Sequence, residues 1–440
     1  MSNLKLWGQI PEGFNAQRIG QISRVQTGPF GSQLHKEDYV DVGTPIVTVE
    51  HLGENFFTHQ NLPRVSEQDV ERLSKYKLRA GDIVFSRVGS VDRRSLVRHS
   101  EDGWLFSGRC LRIRPNPELV CSRYLSYFLG HPGVRDYIRS IAVGATMPSL
   151  NTKLLSDIPV YLPPLPEQRR IGELLGMLDE KIELNRQTAC TLEELAQRLF
   201  KSWFVDFDPV RAKMAGRQPS HTPPEIADLF PDRLVDSPLG PIPAGWDVVG
   251  FSEEFDFTMG QSPPGSTYNK TGEGQPFFQG KADFGDFFPS NRVYCTQPTR
   301  LANAMDVLFS VRAPVGAINL AFEDCAIGRG VCAIRHRLGS VGVSWCWVKE
   351  IASHIEGLSG EGALFKSLSK KQLTSVPVIR KPDALLAAAA PLFDEFVEKL
   401  SQLELETRTL TKLRDRLLPK LISGEVRVPD NSSGRESSCG

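Results

Sequence analysis

Two rows of apolar residues run through residues 163–204. Ile171, Leu178, Leu192 and Leu199 fall on one seven-residue repeat with Asn185 as its polar member, and Leu175, Ile182, Ala189, Ala196 and Trp203 form the companion row. Apolar rows alternating four and three apart are what a coiled-coil seam needs. The segment opens with PPLPEQRRI, where Pro166 suits the first position of a helix. About 39 residues at 1.5 Å each predict a rod of roughly 58 Å. A second helix is expected over 383–428, with Ala389, Phe396, Leu403, Leu410 and Leu417 in one row and Phe393, Leu400, Thr407, Arg414 and Leu421 in the other. Pro391 leaves open a start later than residue 383. A stripe this regular is either plain core or a mutual seam, and we read the two helices as each other's core. Asn185 either fixes the register of the pair or sits solvated at a loose point.

The helices close two copies of one long unit. IPEGF at 10–14 returns as IPAGW at 242–246, GDIVFS at 81–86 as MDVLFS at 305–310, and SLNTKLLSDIPV at 149–160 as SLSKKQLTSVPV at 367–378. TGPFGS at 27–32 has a looser echo in TMGQSPPGS at 258–266. Before each helix lie short β-rich runs cut by Gly, Pro, Asn and Asp. The chain therefore divides into a first domain at 1–162, a helix at 163–204, a Pro-rich connector at 205–241, a second domain at 242–382, a helix at 383–428 and a polar tail at 429–440. Prolines stop any long helix in the connector, which is read as ordered to flexible. The tail lacks core-forming residues and is expected to be disordered.

Composition narrows the function. Lys plus Arg and Asp plus Glu both number 52, so the formal charge is zero and nucleic acid cannot be coated by bulk charge; any such site is a local patch. The longest apolar stretch, ALLAAAAPLF at 384–393, is too short for a membrane span of about 20 residues. The N-terminus lacks a secretory pattern, and eight cysteines without a C-x-x-C pair fit reduced thiols in the cytoplasm.

A phosphate loop, an H-E-x-x-H pair, a G-x-S-x-G elbow and a nucleotide-seating glycine loop are all missing, and the eight histidines show no metal-ligand spacing. These absences favour a binding protein with no catalytic residue and no metal site. The strongest binding signal is charge placement: Arg72–Arg114 holds eleven basic residues and four acids, a net +7. Such a window attracts phosphate, and arginine reads guanine edges; it is otherwise a solvated face. Candidate DNA-contacting residues are Thr27, Gly28, Ser32, Arg87, Arg93 and Arg94 in the first repeat and Gln261, Ser262, Lys270, Lys281 and Arg312 in the second. The Gly- and Pro-rich loops either let backbone approach a duplex or are ordinary turns.

PLPEQRRI, LAQRLFKSWFVDFDPVRAKM and LFPDRLVDSPLGPIPAGW, together with the doubled layout, resemble the DNA specificity (S) subunit of type I restriction–modification systems over about residues 10–427. The resemblance implies two α+β target recognition domains, each reading one half of a split DNA site, and two helices packed antiparallel as a spacer. The seam residues would be Ile171, Leu175, Leu178, Ile182, Leu192 and Leu199 against Phe396, Leu400, Leu403, Leu410 and Leu417. It implies double-stranded DNA, two methyltransferase (M) subunits and restriction/motor (R) subunits as partners. S-adenosylmethionine, ATP and Mg2+ are expected in those partners and none in this chain. The second helix departs from the pattern, lacking the PEQ signature. Competing readings are a self-contained restriction enzyme or methyltransferase, for which SPPG at 262–265 lacks the aromatic of an adenine pocket, and a coiled-coil adaptor without DNA contact.

Overall fold

The apolar runs shared by the two repeats become buried central strands. A computed structural model describes residues 10–29, 33–359 and 367–429. The chain forms two compact units, residues 1–182 with 409–440, and residues 183–408. Each unit thus joins one β-rich domain to parts of both long helices, which a linear division at helix boundaries does not capture. The expected tail disorder falls on residues 430–440, outside those described.

In the first unit, β1 (Ser23–Thr27), β2 (Glu54–Asn55), β3 (Ile83–Ser86), β4 (Arg94–Leu96) and β5 (Cys110–Pro115) form a sheet of order β1-β5-β3-β4-β2. Leu111 of β5 stands opposite Thr27 on one side and Phe85 on the other. Strand β3 is buried throughout. Ile83 and Phe85 face a core shared with Tyr124, Leu125 and Phe128 of the helix Ser122–Gly130. Val84 faces a second core with Ile46, Val47, Leu105 and Phe106. Burial on both faces explains why this strand reads as a continuous apolar run rather than an alternation.

The second unit repeats the plan. Strands β6 (Phe255–Met259), β7 (Val307–Ser310), β8 (Ile318–Leu320) and β9 (Val331–His336) form a sheet of order β6-β9-β7-β8. Cys332 of β9 stands opposite Met259 and Phe309. The repeated sequence motifs are repeated hydrogen-bond devices. Asp82 caps Arg79 N at 2.8 Å and accepts from Arg114 Nε at 2.7 Å, while Asp306 caps Asn303 N at 2.7 Å and accepts from Arg335 Nε at 2.6 Å. Asn151 and Ser369 each cap a short helix, accepting from Leu154 N at 2.8 Å and Gln372 N at 3.3 Å. After each capped helix a strand returns to pair with the start of its domain, Pro159–Leu162 with Asn15–Arg18 and Pro377–Arg380 with Asp247–Gly250.

The long helices are α1 (Leu165–Phe204) and α2 (Asp383–Ile422). Within the first unit, Ile171 and Leu175 share a core with Leu421 and Ile422, and Asp179 Oδ1 accepts from Arg414 Nη1 at 2.8 Å. Within the second, Ala189, Ala196, Phe200 and Trp203 share a core with Ala389, Phe393, Val397 and Leu400. In both, low numbers on one helix meet high numbers on the other, so the pairing is antiparallel. Helix α2 begins at Asp383 and continues through Pro391. Pro391 and Ala387, whose carbonyl loses its partner, are both exposed, so water can replace the bond while Leu385, Leu386, Ala389 and Phe393 hold the turn by burial.

The connector is more structured than its prolines suggest. Phe207, Val210, Ile226 and Phe230 are buried in the core of the second unit, and Phe207 meets Trp246 edge to face at 5.6 Å. It carries the short helices Asp208–Met214 and Pro224–Ala227, each with a proline in its first turn. The glycines of α1 also have a packing reason: a Cβ at Gly172 or Gly176 would meet Arg123 at 3.0 or 2.6 Å. Among the described residues no helix is long and apolar enough to cross a membrane, and the seven described cysteines are free thiols.

Candidate nucleic-acid interface

The end of β1, the start of β5 and the β3–β4 turn converge at one edge of the first sheet. Thr27 closes β1 there and Arg87 follows β3. Arg87 Nη1 donates to Gly108 O at 3.1 Å and lies 3.4 Å from Thr27 Oγ1. Arg87 N donates to Arg109 O at 2.9 Å. Thr27, Gly28, Arg87 and exposed Arg109 are therefore brought together. Gly28 is required from inside: its N–H donates to Cys110 O at 3.2 Å, and a Cβ would stand 2.1 Å from Ser107 O. Ser32 lies outside the described residues.

The two remaining arginines of the first repeat differ from each other: Arg93 is half-buried and Arg94 is buried. Arg93 reaches back to Leu52 O. Arg94 is 5% exposed, donates through Nε to Ser126 O and packs on Gly130. Burial pushes its pKa down to about 10, helped by the neighbouring charge of Arg135 and opposed by Glu54, Tyr127 and Asp179. Arg94 is an interior residue and does not lie on a DNA-accessible face. The +7 window is likewise not one patch. Arg72 pairs with Asp69 at 2.6 Å, Arg98 lies 3.8 Å over the Phe56 ring, and Arg114 pairs with Asp82 at 2.6 Å.

The second sheet presents the equivalent edge. Gly260 N donates to Val331 O at 2.9 Å, as Gly28 does to Cys110, and a Cβ there would stand 2.2 Å from Gly328 O. Gln261 N donates to Ile327 O at 3.0 Å, and Ser262 Oγ accepts from Arg329 N at 3.3 Å. Arg312 is exposed just beyond β7, its backbone bridged to Ser367. Lys281 is exposed after Gln279–Gly280, whose backbone abuts Gly330. Lys270 belongs to a separate turn held by Asn269, which accepts from Thr271 N at 3.1 Å and donates to Glu273 O at 2.7 Å. Arg109 and Arg329 also stand exposed at these edges, outside the candidates named from sequence. The Gly-Arg pair at 108–109 and 328–329 was the signal for both.

Comparison with known proteins places this architecture. The family described as the type I restriction modification DNA specificity domain matches residues 11–194. The protein designated the MjaX type I restriction enzyme specificity subunit of Methanocaldococcus jannaschii is 30% identical over 433 residues, spanning 96% of this chain and 95% of that one. The HindI specificity subunit of Haemophilus influenzae is 25% identical over 429 residues, covering 84% of this chain and 92% of the other. A crystal structure of a type I restriction–modification S subunit from M. genitalium shares the fold, with a TM-score of 0.58, 17% identity and coverage of 97% of this chain and 98% of that one. The chain belongs to the family of type I restriction enzyme specificity subunits.

Proposed function

We propose that this chain is the non-catalytic specificity subunit of a type I restriction–modification complex and that it binds a bipartite, asymmetric DNA sequence. Each unit reads one half-site with the loop edge of its sheet, and the paired helices set the gap. Two methyltransferase subunits and the restriction/motor subunits assemble on it. S-adenosylmethionine, ATP and Mg2+ act in those partners, and the complex works in the cytoplasm.

The observation that carries this reading is the near full-length likeness to specificity subunits combined with two sheets whose loop edges share a backbone bond, Gly28 to Cys110 in one and Gly260 to Val331 in the other. Similar scaffolds with different exposed side chains suit two readers of different sequence. The polar ends of Arg87, Arg109, Gln261, Arg312 and Arg329 supply groups for base edges and phosphates.

Co-expression with the cognate methyltransferase, followed by sequencing of methylated adenines, should return a single split motif. Methylation or cleavage by the purified chain alone would instead favour a self-contained enzyme, and methylation without a motif would refute sequence reading.

A further inference from the structure

A cleft of about 380 Å³ opens on the first unit, walled by Arg24, Lys75, Lys77, Arg79, Arg112 and Arg114, with Asp102 the one acid among its lining residues. The acids nearby are already engaged. Asp82 accepts from both Nε and Nη2 of Arg114, at 2.7 and 2.6 Å, and Asp102 Oδ1 accepts from Ala80 N at 2.9 Å. Arg112 is 2% exposed. Its guanidinium donates to Lys77 O at 2.9 Å and to Gln26, while its Nε has no hydrogen-bond partner and lies 3.9 Å from the nearest Asp82 oxygen. Burial pushes the Arg112 pKa down to about 10, and the adjacent Arg114 adds to the fall. Arg24 and Arg79 are exposed and form no ion pair among the described residues. This is cationic surface in excess of what the fold neutralises.

The second unit lacks it. In the register of the first sheet, Arg24 stands opposite Arg114 and Gln26 opposite Arg112. The corresponding pairs of the second are Asp256 with Arg335 and Thr258 with Ala333. The scaffold therefore folds without these charges, so they are not a requirement of the architecture. The cleft also lies near the loop edge: Gln26 lines it, and Thr27, one residue or about 3.3 Å further with its side chain on the other face, closes the strand at the candidate interface.

We propose that this cleft seats a phosphate group, and that in the DNA complex the group is a backbone phosphate flanking the half-site read by the first unit, which makes the two readers electrostatically unequal. The proposal rests on the DNA-binding reading above. A phosphate fits because several N–H donors and fixed positive charges converge and outnumber the one lining carboxylate, Asp102, whose Oδ1 already accepts from Ala80 N, and nearness to the end of β1 favours DNA as its source.

The test uses the full chain with its methyltransferase partner, and the variants Arg24→Gln, Arg79→Gln and the double, at exposed positions free of ion pairs. Affinity for cognate and scrambled duplexes is measured across salt concentrations. The double variant should weaken both duplexes alike, by roughly ten- to a hundredfold at low salt, with the salt slope reduced by about one to two and the methylated motif unchanged. In a second arm, inorganic phosphate at constant ionic strength should raise the Tm of the wild type but not of the double variant. A phosphate effect without a change in salt slope would keep the seat and assign it to free phosphate. No difference in either arm overturns the proposal, as does a loss confined to capture of the methyltransferase. If the wild type binds no duplex, the functional reading fails and the phosphate arm alone decides the seat.

Discussion

Asn185 Nδ2 donates to Glu406 Oε2 at 2.8 Å and lies 3.4 Å from Thr407 Oγ1, joining the single polar member of the α1 seam to α2. Asn185 is 1% exposed, so it is a bonded interior residue and not a solvated one. A lone buried amide in an apolar seam stabilises one register at some cost in total stability.

The two polar links between the helices should respond in opposite ways. Asn185→Leu removes a polar group whose partner Glu406 is exposed, so unfolding should shift little or upward, by about 0–2 kcal/mol. Asp179→Leu removes the buried partner of Arg414, which keeps only Asp415, and deprives Tyr127 Oη of its 2.7 Å acceptor, and should cost about 2–4 kcal/mol. Urea unfolding of both variants checks this; equal losses would mean the two contacts do the same job.

Arginines at the loop edges should separate from the interior one. Arg87→Ala and Arg312→Ala should each weaken DNA binding. A base-reading role would cost about 1–3 kcal/mol and relax one position of one half-site. A phosphate role would weaken all sequences alike and flatten the salt slope. Arg94→Ala should lower stability while leaving the recognised bases unchanged. Competition against single-base variants of each half-site, with urea unfolding in parallel, distinguishes the three.

How far these sites could be read from the sequence follows from the same residues. Heptad spacing placed both helices and such buried members of their rows as Ile171, Leu175, Ala189, Ala196, Ala389 and Leu400, because burial on a 3.5-residue period leaves few alternatives. The tandem repeat exposed the paired sheets because devices such as Asp82 and Asp306 must be kept for each strand to close. The site was less legible. Sequence clustering cannot tell Arg87, at a strand end, from Arg94, which packs inward, since alternation along a strand sends close neighbours to different environments. The connector's order was only partly legible, for a related reason. Its prolines forbid a long helix but start short ones, and Phe207 and Phe230 pack through contacts distant in sequence.

Acid should weaken the second unit through His336. The ring lies 5.3 Å from that of Trp347 and 5.4 Å from that of Phe255. Burial lowers its pKa from 6.5, with Glu254 opposing. The folded state thus prefers neutral imidazole, while the unfolded chain takes up a proton near 6.5. The stability this provides is complete above that value and is lost as pH falls through the lower folded pKa. Tm should decline as pH falls below 6.5, and His336→Gln should flatten that part of the curve. An unchanged slope in the variant would contradict the assignment.

The gap between half-sites should follow the helices. Four residues inserted within 183–191 of α1 lengthen it by about 6 Å, against a rise of about 3.4 Å per base pair. Methylation mapping should show a gap longer by one or two base pairs with both half-sites intact. An unchanged gap in an active mutant would show that α1 does not set the spacing.

The most direct test of two independent readers is an exchange of residues 15–150 for the matching segment of a relative with a different target. Methylated adenines are then sequenced in cells that also express the methyltransferase. The account predicts a hybrid motif in which one half-site changes while the other half-site and the gap persist. A folded hybrid that loses or alters both half-sites would contradict it.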